Sequence, residues 1–254
     1  MQRILIPTSL TNSLLAGFLF IWIQAWTAVA SGQQQTLPSA DEVLDAFYEA
    51  LGGEMAISSV SDVRFTGSYG RPGNLEVKYK SGKFVLGYDM GDSGQLRLGF
   101  DGTKWWRSHP RRRIEILQGE DMAMARQYSV CSPRFLEWRD IDGAVEIVEG
   151  TDFRGTAVWH VKFTDDEGVV VDRFFDQESG LLVATKVESE KADSTMLYEF
   201  EDFEGVLWAS RLVNETKIKG NENVYATEIL FTDYDFDAQL NDDDFAMPGD
   251  YSDD

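Results

Sequence analysis

The stretch Ala157-Val-Trp-His-Val-Lys-Phe-Thr164, Asp165-Asp-Glu-Gly168, Val169-Val-Val-Asp-Arg-Phe-Phe-Asp176, Gln177-Glu-Ser-Gly180, Leu181-Leu-Val-Ala-Thr-Lys-Val-Glu188 decides the fold. Three runs rich in Val, Phe, Thr and Leu carry a near two-residue period, and Asp-Glu-Gly or Glu-Ser-Gly separates them. That pattern predicts strands joined by short hairpins, hence antiparallel neighbours. Working outward, the same grammar continues in both directions. Strands are expected near Val63–Tyr69, Leu75–Lys80, Lys83–Met90, Gln95–Phe100, Lys104–His109 and Arg113–Leu117 on one side. On the other they fall near Thr195–Phe203, Val206–Glu215 and Asn223–Phe231, with a short one at Ala144–Val148.

Helical signals interrupt this series in few places. Ser39 with Glu42 forms a capping box, Asp41 favours the positive helix end, and Val43, Leu44, Phe47, Ala50 and Leu51 make one apolar stripe that Gly52-Gly53 stops. Glu54–Val60 reads as a second short turn, Glu120–Tyr128 as a short helix and Arg134–Trp138 as another. The expected fold class is therefore α+β. A sheet of so many strands cannot stay flat, so it curls, with helices on its concave side.

Residues 1–30 stand apart. They hold one base, Arg3, and no acid, and the apolar run from Leu14 ends in Ala28-Val29-Ala30. This is the pattern of a secretory signal peptide, with a retained membrane anchor as the alternative; Gln24 in mid-run favours the first. A linker over 31–38, one domain over 39–248 and an acidic tail over 249–254 complete the expected organisation. Cys131 is the only cysteine, far from any cleavage point, so the exported chain is not expected to be a lipoprotein, and it cannot form an internal disulfide.

The chain has 23 Lys+Arg against 44 Asp+Glu, a formal net charge of -21, which disfavours nucleic acid as a partner. Only two histidines, His109 and His160, could serve a nucleophile, and neither sits in a catalytic motif, so no catalytic residue, enzyme activity or cofactor is expected. Asp233, Asp235 and Asp237, with Asn241 and Asp244, have the oxygen spacing of a calcium loop. Ala238 stands where such a loop needs glycine, and a strand with a polar outer face gives the same spacing, so no metal is assigned. Arg107, Arg111, Arg112 and Arg113 beside Trp105 and Trp106 form the dense basic cluster of this acidic chain. They could bind an acidic partner or a headgroup, or simply end a strand.

Over Ser39 to Pro248 the chain resembles bacterial outer-membrane lipoprotein-sorting proteins of the LolA/LolB-like superfamily. The resemblance is carried by Ala50-Leu-Gly-Gly53, by Leu75-Glu-Val-Lys78 with Lys83-Phe84, and by Phe100-Asp-Gly-Thr-Lys-Trp-Trp106. Asp152-Phe-Arg-Gly155, Phe175-Asp-Gln-Glu-Ser-Gly-Leu181, Phe203-Glu-Gly-Val206 and Phe245-Ala-Met-Pro248 continue it in order. It implies an unclosed β-barrel around a hydrophobic cavity, lidded by helices, that shields lipid or lipoprotein acyl chains in the periplasm. Burial gains about 0.8 kcal/mol per CH₂. Phe65, Val77, Phe84, Leu86, Leu98, Phe100, Trp105, Trp159, Val161 and Phe174 are the candidate cavity residues, with ordinary core packing as the alternative for each. Tyr79, Arg107, Arg111 and Arg113 are candidate lid or partner contacts. The family's carriers have an arginine directly after the Val-Lys pair, where this chain has Tyr79, which lacks the forked charge. A monomeric carrier is expected, with a noncatalytic envelope sensor or protein-interaction module as the other reading of the same fold.

Overall fold

The computed structural model describes residues 37–70, 75–80, 82–129 and 143–248. The expected signal peptide, most of the linker, Cys131, the Arg134–Trp138 helix and the acidic tail lie outside these residues. Among the described residues no helix is long and apolar enough to cross a membrane.

Helix α1 (Ala40–Ala50) starts as its sequence dictates: Ser39 N–H donates to Glu42 Oε2 at 2.7 Å, and Glu42 N–H donates to Ser39 Oγ at 3.2 Å. Val43, Leu44 and Phe47 are buried on its inner stripe. Gly52, at φ +119°, then turns the chain into α2 (Gly53–Ser59), and no β-carbon fits there because one would lie 2.6 Å from the Gly205 carbonyl oxygen.

Thirteen strands follow, β1 (Asp62–Tyr69), β2 (Leu75–Lys80), β3 (Lys83–Asp89), β4 (Gln95–Phe100), β5 (Trp105–Ser108) and β6 (Glu115–Ile116) before helix α3 (Gly119–Ser129). After it come β7 (Gly143–Phe153), β8 (Thr156–Asp165), β9 (Val170–Asp176), β10 (Leu182–Glu188), β11 (Ala192–Phe203), β12 (Val206–Ile218) and β13 (Val224–Asp235). They form a single antiparallel sheet in the order β6-β5-β4-β3-β2-β1-β13-β12-β11-β10-β9-β8-β7. Two meanders, β1–β6 and β7–β13, are thus joined where the first strand pairs with the last. The sheet is curled and not closed into a barrel.

Register shifts at Thr66/Gly67, Leu182/Ala184, Glu199/Phe200 and Ile147/Glu149 give the bends that such curling needs. Inside the curl α1, α2 and α3 share one apolar core with the strands. Phe47 meets Phe175 edge-on at 5.3 Å and Phe200 at 6.3 Å; Phe65 touches Trp208, Phe231 and Tyr234. A smaller core of Val85, Trp106, Leu240 and Phe245 lies on the outer face. There the chain after β13 runs back as a strap across the first meander. Lys78 holds Asp244 at 2.7 Å, Lys83 holds Asp242 at 3.0 Å, Lys80 donates to the Leu240 carbonyl, and the Arg97 guanidinium lies 5.4 Å from the Trp106 ring.

The strand expected at Ala144–Val148 extends to Phe153, because Gly150 is not a turn: it lies under the Trp159 ring, which an added β-carbon would approach to 2.8 Å. Asp233 and Asp235 lie on the outer face of β13 beside Thr66 and Arg64, the latter pair at 2.8 Å. Among the described residues no group of three or more His, Cys, Asp and Glu could hold a metal ion.

Gly67 sits at the bulge joining the meanders, and a β-carbon there would stand 2.0 Å from the Leu230 carbonyl oxygen. Gly67→Ala is expected to lower the unfolding free energy by about 2 kcal/mol, read as a lower urea midpoint with an unchanged slope.

Candidate functional site

Inside the curl the two halves of the sheet are filled differently. Near α1 the space is occupied by aromatic rings. Under α3 it is not: a cavity of about 270 Å³ is lined by Tyr69, Leu86, Tyr88, Leu96, Leu98 and Leu117 on the first meander and by Met124, Ala125 and Tyr128 on α3. Ser194 on β11 and Asn214 and Thr216 on β12 close the far side; Arg107 and Asp121 stand at its rim. The volume is just below the range of about 300–1,000 Å³ typical of small-molecule sites. The apolar wall with a few convergent polar groups is typical too.

Strand alternation explains the lining. Leu86 and Leu98 face each other across β3 and β4, and their neighbours Val85 and Gly99 point outward to the strap side. The polar side is a connected network. Asn214 Nδ2 donates to the Tyr128 hydroxyl at 2.8 Å, and Ser194 Oγ lies 3.0 Å from both Asn214 Oδ1 and Gln127 Oε1. The Tyr198 hydroxyl donates to the Gln127 carbonyl at 3.2 Å. Helix α3 is thereby pinned to β11 and β12 through buried hydrogen bonds. Burial holds the Tyr128 phenol proton well above the ordinary tyrosine range, with the adjacent Tyr69 adding to the effect. At the rim Arg107 reaches Glu115 at 2.6 Å, and that guanidinium lowers the Glu115 carboxyl.

Of the residues singled out from sequence, Leu86, Leu98 and Arg107 line this cavity. Phe65, Val77, Phe84, Trp105 and Val161 are buried in the surrounding core, and Phe100 and Trp159 are half-buried against it. Phe174 is placed differently. It faces outward, stacked on His160 and Phe153 at 4.8 Å, while its neighbours Arg173 and Phe175 point in. His160 is engaged there by Asp172 at 2.7 Å.

Tyr79 is buried outside the cavity lining, and its hydroxyl accepts the Gly82 N–H at 3.3 Å, so it braces the β2–β3 hairpin. Arg111 and Arg113 are exposed on the turn between β5 and β6, outside the cavity lining. The alternation of β11 and β12 was readable, but the polar network of Gln127, Tyr128, Ser194 and Asn214 was not, because it joins residues up to 86 positions apart.

The curled thirteen-stranded antiparallel sheet with its helices matches solved structures in fold. The chain has a LolA-like fold. One similar structure, described as an outer membrane lipoprotein-sorting protein domain from Vibrio parahaemolyticus, superposes with a TM-score of 0.54 at 13% identity, covering 81% of this chain and 97% of that one. Another, a LolA superfamily protein from Nitrosomonas europaea, gives 0.51 at 12% identity, with 83% and 99% covered. No family model and no curated relative matches the sequence. At such identities the LolA-like likeness fixes architecture, and ligand chemistry has to be argued from this chain's own side chains.

Below pH 10 the Tyr128 phenol keeps its proton in both folded and unfolded chain; above that, the unfolded chain releases it first, so its contribution to stability falls as pH rises. Tyr128→Phe is expected to flatten the loss of stability between about pH 9 and about pH 11, followed by urea midpoints. An unchanged slope would contradict the burial of this phenol.

Proposed function

We propose that this protein is a noncatalytic carrier of the cell envelope that holds an acyl chain of a lipid or lipoprotein in the cavity beneath α3. The carrying observation is that cavity itself: Leu86, Leu96, Leu98, Leu117, Met124 and Ala125 give it an apolar wall inside the curled sheet. The LolA-like architecture supports the same reading, since one similar structure is described as lipoprotein-sorting.

Physical chemistry makes the assignment concrete. Each methylene moved from water into the cavity gains about 0.8 kcal/mol, and Ser194, Asn214 and Thr216 give one side of the site hydrogen-bonding capacity for a polar end. The site is small, which suits a single chain better than a cluster of chains. Catalysis has no support in the lining, where no nucleophile stands beside a histidine. Export by the N-terminal segment, release into the periplasm and action as a monomer complete the proposal; the strongly acidic surface would keep the carrier off anionic membranes.

A second reading has its own observation. Arg111, Arg112 and Arg113 are exposed on the turn between β5 and β6, beside Trp105 and Trp106, which suits a binding module whose partner is an acidic surface of another envelope protein.

Native mass spectrometry of protein purified from its own host is expected to show co-purifying lipid or acylated protein. A fluorescent fatty acid should be taken up and displaced by unlabelled fatty acid. Ala125→Leu, which pushes three carbons into the cavity, is expected to weaken uptake roughly tenfold, about 1.4 kcal/mol, with little change in melting temperature. An empty chain with no uptake would favour the interaction module.

A further inference from the structure

On the opposite side of α3 from the acyl cavity lies a second, much smaller hollow of about 30 Å³, lined by Ala123, Arg126, Gln127, Phe163, Asp165, Val169, Val171, Arg173 and Thr185. Its chemistry is unlike that of the first. Arg173 is 8% exposed, Gln127 2% and Thr185 1%, yet Arg173 Nε, Gln127 Nε2 and Thr185 Oγ1 have no hydrogen-bond partner among the described residues. Buried polar atoms are nearly always paired, and three unpaired ones around one hollow are a conspicuous departure.

All three can donate. Arg173 makes no ion pair among the described residues, and its guanidinium rests on the Phe163 ring at 4.3 Å. Arg126 brings a second, partly buried guanidinium to the same hollow. Two positive groups share a place where each is poorly hydrated. Burial, with Arg126 beside it, pulls the Arg173 pKa down to about 10, which still leaves it charged at neutral pH.

One acid lines the hollow, Asp165, and it is already engaged, accepting the N–H groups of Glu167 at 3.0 Å and Val169 at 2.8 Å in the β8–β9 turn. Asp165 and Glu167 act on Arg126; among the described residues the charges acting on Arg173 are those of Tyr198 and Arg126. A buried guanidinium without a counter-ion is strongly disfavoured. What the hollow lacks is one negative charge able to accept three or four hydrogen bonds, in a space of single-ion size.

We propose that this hollow is a binding site for one compact monovalent anion of chloride size, held by Arg173, Arg126, Gln127 Nε2 and Thr185 Oγ1 between α3 and the β8–β10 wall. The size decides against phosphate and sulfate, whose four oxygens need more room. The consequence is mechanical. Gln127 accepts from Ser194 through Oε1 on the cavity side and offers Nε2 to the anion on the other, so the ion fastens the same helix that covers the acyl cavity. This does not depend on the lipid reading, because the donors and the hollow stand whatever the larger cavity holds.

The test compares the full exported chain in sodium gluconate and in sodium chloride at equal ionic strength. Chloride, and bromide likewise, is expected to raise the melting temperature along a saturable curve, by roughly 5 °C at a hundredfold excess over the dissociation constant. Sulfate should not. Arg173→Met is expected to abolish the chloride response and to be at least as stable as the unaltered protein in gluconate, since it removes an unpaired buried charge. Thr185→Val should weaken the response severalfold while keeping the fold. A bromide-soaked crystal should show an anomalous peak against Arg173. A linear response equal in gluconate and chloride, a response retained by Arg173→Met, or a water molecule at the bromide position would overturn the proposal. Fatty-acid uptake measured alongside separates the two sites, because failure of one assay leaves the other standing.

Discussion

The pairing of β1 with β13 is the constraint on which the rest of this molecule depends. Each meander on its own is a run of local hairpins, and only this long-range ladder makes them one sheet with one interior. Phe65 stands at the junction, opposite Tyr234 in the register and in contact with Trp208 and Phe231, so the seam is also a centre of the apolar core. At Gly67 the strands of the seam leave no room for a β-carbon, which would stand 2.0 Å from the Leu230 carbonyl oxygen and force the meanders apart. Contacts of such sequence separation carry a loop-closure cost that local hairpins avoid, so the seam is the slow step one would anticipate in folding.

Once the seam is made, the position of α3 follows. The strands that flank it in sequence, β6 and β7, end up as the two opposite edges of the sheet. The chain between them begins as a helix inside the curl, touching both meanders on its way. Its composition suits a bridging element better than a core helix: Gln127 and Ser129 are buried among the alanines, and its fixings to β11 and β12 are hydrogen bonds. Such fixings are directional and individually modest. The α1 end of the interior, by contrast, is held by interlocked aromatic rings and is the rigid end.

Much of this was legible in the sequence because hairpin turns and a two-residue period are local signals. Each of the thirteen strands overlaps a run that alternation predicts, with β7 and β13 extending past it, and the Ser39–Glu42 box opened α1 as read. What local reading could not supply was pairing between distant strands, and with it the cavity's polar side. One side-chain assignment shows the limit well. Placing Phe174 inward follows from the rule that arginines face water, since the same parity puts Arg173 outside. The structure has the opposite parity: Phe175 packs on Phe47 and Arg173 goes in with it. A buried charge was thus the price of seating Phe175, and no hydropathy pattern announces it. The expected strand at Ala144–Val148 stopped short for a related reason, because nothing local shows that Gly150 is kept bare for the Trp159 ring on the next strand.

Adjacent tryptophans on β5 face opposite ways, Trp105 into the main core and Trp106 into the small outer one under the strap. The residues that cover Trp106, Leu240 and Phe245 among them, belong to the last part of the described chain, tied down by Lys78, Lys80 and Lys83. The carboxy-terminal segment is accordingly wall, and trimming back into it would bare an oily stripe on the outside of the first meander.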